Sequence, residues 1–596
     1  MSDATPNEDD HRTTIAMMDS RNNDTISSEK QYGTSSDRRE QYHYEVSHVE
    51  ASSDNGSFAG RPPILLEEAD GHKKQSKAKR LVHQYRAYIH LIIWLLLTGF
   101  LCAAYSLQIK KGYNQELLVL GIIYLYISLY LLFKHVSIPI IKQLWDRAAS
   151  VICSRLHESA PSKVRTCVYG CIVVAVIVAI VFAMPEKEES KRVQRLIPCL
   201  GVLVILCSIY ATSKHRKAIN WNTIITAFML QFFVGFFVFK TSVGHDLFQW
   251  IAVFAGGYLD KALFGAEFLF GKAAIDANTF ALNVIPAMVF FASTVQILYH
   301  LGTIQWVLSK VAVVFIAILG VSGVESIVAA STPFLGACEN ALLLRPLIVK
   351  FTKSEFHQLL TCGFATISGS MLYGYIALGI SGQALLTSCI MSIPCSIAVS
   401  KLRYPETEES VSKYGLSIPD DKKNQTHGIL HAIGVGAEIG MHISLVLAAN
   451  IIAILALLQA TNALLTWLGN FVNIHELTLE VITGYIFVPI AWLIGTDTKD
   501  IVIVGRLMAV KIWSNEFLAY QQLVSIYKGQ LSTRSEIIAT YALCGFANFG
   551  TVGMQVGVLS ALAPSRSADV TELVISALIC GSFSTWLSAA IAGMLI

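Results

Sequence analysis

The chain has 596 residues, of which 54% are hydrophobic and only 15% are charged, and its mean hydropathy is +0.53. A soluble globular domain carries about 25% charged residues, so this composition excludes an ordinary soluble enzyme. The formal net charge of +3 says little about partners, and we predict that nucleic acid is not one of them. A membrane span needs about 20 apolar residues, and roughly a dozen such segments follow Tyr88. The sequence therefore predicts an all-α polytopic membrane protein.

The first 87 residues differ from the rest of the chain. They are polar, rich in Ser, Asp, Glu and Arg, and lack hydrophobic periodicity, which predicts a disordered tail. A basic cluster at residues 72–80 lies just before the first apolar run. Cytosolic loops carry an excess of Lys and Arg, so we predict a cytosolic tail without a signal peptide.

Most of the 12 cysteines lie within apolar runs, where a small hydrophobic side chain packs well. No Cys and His spacing typical of a zinc site accompanies them. The sequence thus predicts neither a disulfide framework nor a structural metal.

Apolar spans without mid-span carboxylates occupy residues 88–243 and are predicted to form a scaffold. Aromatic and charged residues alternate between Gly244 and Lys272, a pattern typical of an interfacial helix. A second interfacial helix is predicted at residues 427–441. The predicted spans are Tyr88–Ile109, Leu117–Phe133, Val168–Met184, Leu196–Thr212, Ile219–Lys240, Phe280–Gly302 and Ser444–Leu468.

The apolar segment from Val321 to Pro346 is interrupted by Pro333, Gly336 and Glu339. Backbone groups freed by such a break must be buried in protein or in a wet cavity. A carboxylate there is costly, and transporters place substrate and ion sites at broken helices. The alternative is a structural kink in which Glu339 pairs with a basic neighbour such as Arg345.

An internal repeat supports the hypothesis that the protein is a transporter. The motifs Lys353-Ser-Glu and Arg534-Ser-Glu each lead into Cys-Gly-Phe-Ala, and each follows an interrupted segment that carries Glu339 or Glu516. Discontinuous helices in corresponding positions indicate a secondary transporter with its site at the repeat interface. We predict an inverted-repeat fold with halves 244–402 and 403–596, re-entrant hairpins at about 321–349 and 498–527, and unwound helices at about 355–380 and 534–563. An intramembrane hydrolase using Glu339 and Glu516, or an ion channel, are the alternatives.

Ordered motifs from Ile219 to the C-terminus resemble the concentrative nucleoside transporters, especially the animal members. They include Ala266-Glu-Phe-Leu-Phe-Gly, Leu342-Leu-Leu-Arg-Pro and Asn515-Glu-Phe-Leu-Ala-Tyr-Gln-Gln. The resemblance implies cation-coupled import of purine or pyrimidine nucleosides across the plasma membrane. It also implies a homotrimer in the lipid bilayer, in which scaffold helices surround a moving transport domain.

The resemblance also assigns substrate roles. It puts Gly336, Ala337, Cys338, Glu339 and Met371 on the nucleobase side, and Glu516, Phe546, Asn548 and Thr551 on the ribose side. An ionised carboxylate accepts hydrogen bonds from adjacent ribose hydroxyls, and an amide both donates and accepts. The alternative for Asn548 and Thr551 is hydrogen bonding between helices. Ala337 and Cys338 replace polar residues of the family, so base preference stays open.

For the coupling ion, the resemblance implies a sodium site formed by Thr332, the Leu335 carbonyl, Thr366 and the Ile367 carbonyl. The family usually has Asn where Thr332 stands, and a hydroxyl reaches less far than an amide. We therefore expect low-affinity sodium. Sodium with a water filling the gap, or a proton carried by Glu339, are the alternatives. No other cofactor is predicted.

Overall fold

The computed structural model describes most of the chain after residue 85. The described residues are 86–108, 120–121, 124–125, 127–128, 162–183, 186, 192–277, 279–333, 335–336, 340–341, 343–410, 412 and 427–596. The predicted tail, apart from its last two residues, and most of the predicted span 117–133 lie outside them.

The chain divides into two units, residues 1–136 and 137–596. In the first unit, α1 spans Arg86–Gln108. The hydroxyls of Thr98 and Tyr124 lie 2.8 Å apart, and the Trp94 indole donates to Ser128 over 3.0 Å.

The second unit contains the other described helices. The helices before the first re-entrant segment are α2 Ser162–Ala183, α3 Arg192–Ala211, α4 Trp221–Lys240, α5 Ser242–Leu259, α6 Ala262–Phe270, α7 Lys272–Asp276, α8 Phe280–His300 and α9 Thr303–Leu319. They are followed by α10 Gly323–Ser331, α11 Arg345–Ile348, α12 Lys353–Ala365, α13 Gly369–Ala377, α14 Gly382–Arg403 and α15 Ile429–Asn470. The chain ends with α16 Leu479–Leu493, α17 Ile501–Trp513, α18 Glu516–Ser525, α19 Thr533–Leu543, α20 Phe549–Leu562 and α21 Ser567–Leu595.

Within the described part of the chain, 7 helices are long and apolar enough to cross a membrane by length and composition. Counting the bent pair α9 and α10 as one span, with 119° between them, gives 8. These helices agree with the all-α polytopic prediction.

The predicted interfacial helix 427–441 and the predicted span 444–468 are wrong as separate elements. They form one helix of 42 residues, α15. Two glycines lie where α15 crosses α8: a Cβ on Gly436 would come within 2.5 Å of the Ser293 Cα, and one on Gly440 within 2.8 Å of the Val289 Cα. Small residues at a helix crossing permit this close approach.

The predicted interfacial segment 244–272 is likewise not one helix, because α5, α6 and the start of α7 share it. Phe264 and Phe268 of α6 are 82% and 89% exposed. The short helix therefore presents its aromatic side chains outward.

The two halves run in opposite directions. The Lys353 ammonium at the start of α12 lies 2.9 Å from the Glu572 carboxylate, near the start of α21. Arg534 at the start of α19 donates to the Gly593 carbonyl, near the end of α21. At 1.5 Å per residue these two positions on α21 are roughly 30 Å apart. Helices α12 and α19 therefore begin at opposite ends of the unit, as an inverted repeat requires.

The unwound segments of the two halves meet. The chain leaves helical geometry between α12 and α13 and again between α19 and α20, and the Phe546 amide donates to the Thr366 carbonyl over 3.2 Å. Gly545 has a φ of +103°, and a Cβ there would lie 2.9 Å from the Ala365 carbonyl. Only glycine fits this conformation at this distance, so the close approach of the two breaks depends on Gly545.

A buried ionic network fixes the start of α10. The Lys401 ammonium forms an ion pair with Glu325, whose side chain also accepts from the backbone of Ser322 in a capping box. Lys401 also donates to the Ser354 hydroxyl over 2.8 Å, and the Ser322 hydroxyl donates to Glu355 over 2.7 Å. The network joins the starts of α10 and α12 to the end of α14.

We expect Lys401→Met to destabilise the protein by about 3–5 kcal/mol, because it leaves the buried Glu325 carboxylate without its partner. The measurement is the thermal unfolding midpoint of the purified protein in detergent. Lys350→Met, at an exposed lysine, is the control and should leave the midpoint unchanged. Equal midpoints for the two variants would contradict a role for the ion pair.

Candidate transport site

A cleft of about 790 Å³ lies beside the unwound segments. Its walls come from α8, α13, α15, α18 and α20 and from the breaks before α13, α18 and α20. The predicted substrate-binding residues that the structure describes all line it: Gly336, Met371, Glu516, Phe546, Asn548 and Thr551.

Glu516 is the charged group among the described residues that line the cleft, and it is 3% exposed. It lies in the first turn of α18, where the helix dipole favours a negative charge. Its Oε1 accepts from the Tyr375 hydroxyl over 2.7 Å, and its Oε2 accepts from the Asn548 amide over 2.9 Å. A carboxylate has about four lone-pair sites, so these two contacts do not exhaust its capacity to accept from a ligand.

Asn548 and Thr551 belong to the first turn of α20. The Asn548 amide oxygen caps the helix by accepting from the Thr551 backbone N–H over 2.8 Å. The Thr551 hydroxyl donates to the Phe546 carbonyl. Both side chains thus make structural hydrogen bonds and also line the cleft. Their substrate role stays a prediction.

The predicted nucleobase side is described only in part. Met371 is 3% exposed and lines the cleft together with Gly336. Ala337, Cys338 and Glu339 lie outside the described residues. Their roles stay predictions.

Four polar residues that line the cleft were absent from the predicted substrate-binding set: Ser368, Asn450, Ser514 and Asn515. Tyr375 was missed as well. Tyr375 binds Glu516 directly. The Ser514 hydroxyl is buried without a hydrogen-bond partner among the described residues, at the break between α17 and α18. Asn450 lies in the middle of α15, which the sequence predicts as a plain span. Periodicity could have placed Tyr375 within the unwound helix, but not its contact with Glu516.

The predicted sodium ligands form a second buried group. Thr332, Leu335, Thr366 and Ile367 are all no more than 3% exposed. The Cys362 thiol donates to the Thr332 hydroxyl over 3.3 Å, and the Thr366 hydroxyl donates to the Cys362 carbonyl over 2.9 Å. These bonds connect the end of α10 to the break after α12. Hydroxyl and carbonyl oxygens suit a hard cation, so the residues present fit sodium.

Two family models match the chain. The one described as Na+ dependent nucleoside transporter C-terminus matches residues 384–593, and the one for the N-terminus matches residues 200–273. Solute carrier family 28 member 3 of Eptatretus stoutii is 34% identical, over 88% of this chain and 76% of the relative. The chain belongs to the concentrative nucleoside transporter family. It is therefore a transporter and not an enzyme, which removes the hydrolase alternative.

Further relatives agree with this assignment. Sodium/nucleoside cotransporter 1 of Rattus norvegicus is 38% identical, over 68% of the present chain and 65% of the rat protein. The solved structure of CNTnw in an inward-facing substrate-bound state has a TM-score of 0.62 and 33% identity. The structural similarity covers 67% of the present chain and 97% of the CNTnw chain. The predicted fold class is confirmed.

We expect Tyr375→Phe to weaken the apparent affinity for nucleosides about tenfold, because a hydrogen bond to a charged group contributes about 1.5–3 kcal/mol. Tyr373→Phe is the matched control. It removes a hydroxyl from the same helix, but that hydroxyl donates to Asp260 over 2.9 Å. Concentration dependence of uridine uptake is the measurement, and equal changes in both variants would argue against an orienting role for Tyr375.

Proposed function

We propose that the transporter imports nucleosides across the plasma membrane together with Na+. The observation that supports this most is the position of Glu516, a buried carboxylate that faces a cleft between the two halves and is oriented by Tyr375 and Asn548. A ribose ring presents two adjacent hydroxyls, and each can donate to a free lone pair of this carboxylate.

The rest of the cleft suits the same substrate. Phe546 and Met371 offer apolar surface to a flat heterocycle, whereas Asn548 and Thr551 stand beside Glu516. A substrate without the hydroxyls would bury Glu516 with unused lone pairs, at a cost of about 1–3 kcal/mol for each unsatisfied group. The site therefore discriminates by the sugar more strongly than by the base.

Sodium is the coupling cation in this proposal, since sodium is named in the matching family models and in the cotransporter relatives. They favour it over the proton alternative. Thr332, Thr366 and the carbonyls of Leu335 and Ile367 would hold it. When bound, the cation supplies positive charge beside the first break, and the Thr366 carbonyl connects that break to Phe546 of the cleft over 3.2 Å.

The orientation follows from charge. The loop after α3 lies against the end of α14, because the Lys214 amide donates to the Arg403 carbonyl over 3.0 Å. Hydrogen bonds to Tyr404 and Glu572 raise the pKa of Lys214, which keeps it charged. Lys353 also contacts Glu572, and Lys401 contacts Ser354, the residue that follows Lys353. By the positive-inside rule, this basic end of the second unit faces the cytosol.

We also propose a homotrimer, and only the resemblance to the family supports it. Chemical crosslinking in native membranes should then yield dimer and trimer bands that converge on the trimer as the reagent is increased. A single monomer band at saturating reagent would count against it.

Uptake into vesicles reconstituted with the purified protein tests the function. With labelled uridine or adenosine outside, an inward sodium gradient should drive transient accumulation above the external concentration. One charge moved through 100 mV is worth about 2.3 kcal/mol, so an imposed potential of about 60 mV should add roughly tenfold. Choline in place of sodium, at two pH values, is the control. Simple equilibration, or sodium-free uptake stimulated by acid, would overturn the proposal.

A further inference from the structure

The side chain of Asn340 lies among the proposed sodium ligands. It is 1% exposed. Its amide nitrogen donates to the Thr332 hydroxyl over 3.0 Å and approaches the Leu335 carbonyl oxygen at 3.5 Å. Two of the four oxygens assigned to the cation therefore point at one N–H₂ group. A partly positive donor occupies the position that a cation would take between them.

The other end of the same amide is unsatisfied. The Asn340 Oδ1 is buried and has no hydrogen-bond partner among the described residues. An unpaired buried acceptor costs about 1–3 kcal/mol, and a native protein keeps such a group where it is used. An amide oxygen is also a good ligand for a hard cation.

The two ends of an amide have nearly the same shape and exchange by a half-turn about the Cβ–Cγ bond. After that turn, the Oδ1 would face the Thr332 and Leu335 oxygens. The Thr332 hydroxyl donates to the Val328 carbonyl, so all three oxygens would present lone pairs to one point. The turned orientation is therefore the one that would bind a cation.

We propose that Asn340 is a further sodium ligand, whose amide oxygen compensates for the short hydroxyl of Thr332. This inference rests on the proposed sodium coupling. In this proposal the amide ligand of the sodium site comes from position 340, whereas the family usually has it at position 332. The sodium affinity then depends on Asn340 more than on Thr332.

Sodium-dependent thermal stability tests the assignment without measuring transport. The unfolding midpoint of the purified protein in detergent is followed as NaCl replaces choline chloride at constant ionic strength. Asn340→Ala should raise the sodium concentration for half-maximal stabilisation about tenfold. The double variant Thr332→Asn/Asn340→Ala returns an amide to the group and should recover most of that loss.

Asn462→Ala is the matched control, because Asn462 is also a buried asparagine but donates to Glu480 over 2.8 Å. It should leave the sodium dependence unchanged. Should Asn340→Ala fail to fold, Asn340→Asp decides, since a carboxylate at this position should lower the half-maximal sodium concentration and a purely structural asparagine predicts no change.

The outcomes separate the two proposals. Unchanged sodium dependence in Asn340→Ala, with a wild-type protein that responds to sodium, overturns the role of Asn340 alone. A wild-type protein that is stabilised by neither sodium nor sodium with uridine overturns the sodium coupling itself, and Asn340 with it.

Discussion

Replacing Glu516 with Gln should reduce uridine uptake at least about hundredfold while the protein still reaches the cell surface. The carboxylate accepts from both Tyr375 and Asn548. Glutamine keeps the size of the side chain but replaces one carboxylate oxygen with an N–H₂ donor and removes the negative charge, so the ribose hydroxyls lose acceptor sites. Hydrogen bonds to a charged group contribute about 1.5–3 kcal/mol each, and the ribose hydroxyls would lose two of them.

The size of the loss should depend on the substrate. A 2′,3′-dideoxynucleoside lacks the hydroxyls that engage the carboxylate, so Glu516→Gln should affect its uptake less than that of uridine. Glu536→Gln, at an exposed glutamate in the second repeat, is the control and should transport normally. Surface labelling normalises all three proteins. Equal fractional losses for both substrates would remove Glu516 from the ribose side.

The repeated letters of the sequence were enough to locate the two broken elements. Cys362 and Cys544 begin the matching Cys-Gly-Phe-Ala runs, and the breaks follow within or just after them. Glu516 could be selected because a carboxylate in an apolar segment is costly and therefore rarely incidental. The positions of the helix breaks and the choice of Glu516 could both be predicted, because both depend on residue type and on spacing along one element.

Other parts of the site depend on contacts between elements, which a single sequence does not state. Tyr375 lies in an apolar helix, and nothing in its neighbours indicates that its hydroxyl reaches Glu516, which is 141 positions away. The glycines of α15 look like helix breakers in the sequence, but Gly436 and Gly440 serve a crossing with α8. Asn340 likewise gains its meaning only from the distances to Thr332 and Leu335.

Lys511 was also missed, and its substitution should have the second large effect. The lysine is fully buried near the end of α17. Its ammonium donates to the carbonyls of Ala542 and Cys544 over 3.0 and 3.2 Å, and to the Thr585 hydroxyl over 3.2 Å. The two carbonyls belong to the last turn of α19 and the break after it. A fixed positive charge thus stabilises the second break.

We expect Lys511→Met to lower the free energy of unfolding by about 3 kcal/mol or more, because three buried acceptors lose their donor at about 1–3 kcal/mol each. Uridine uptake should fall at least about tenfold. Lys528→Met makes the same change at an exposed lysine and should alter neither quantity. Unfolding midpoints and uridine uptake per surface molecule are the measurements. Asn548 follows this second break and donates to Glu516 over 2.9 Å, so relaxation of the break should also weaken uridine binding. A Lys511→Met protein with normal stability and normal uridine affinity would show that the second break is maintained by packing alone.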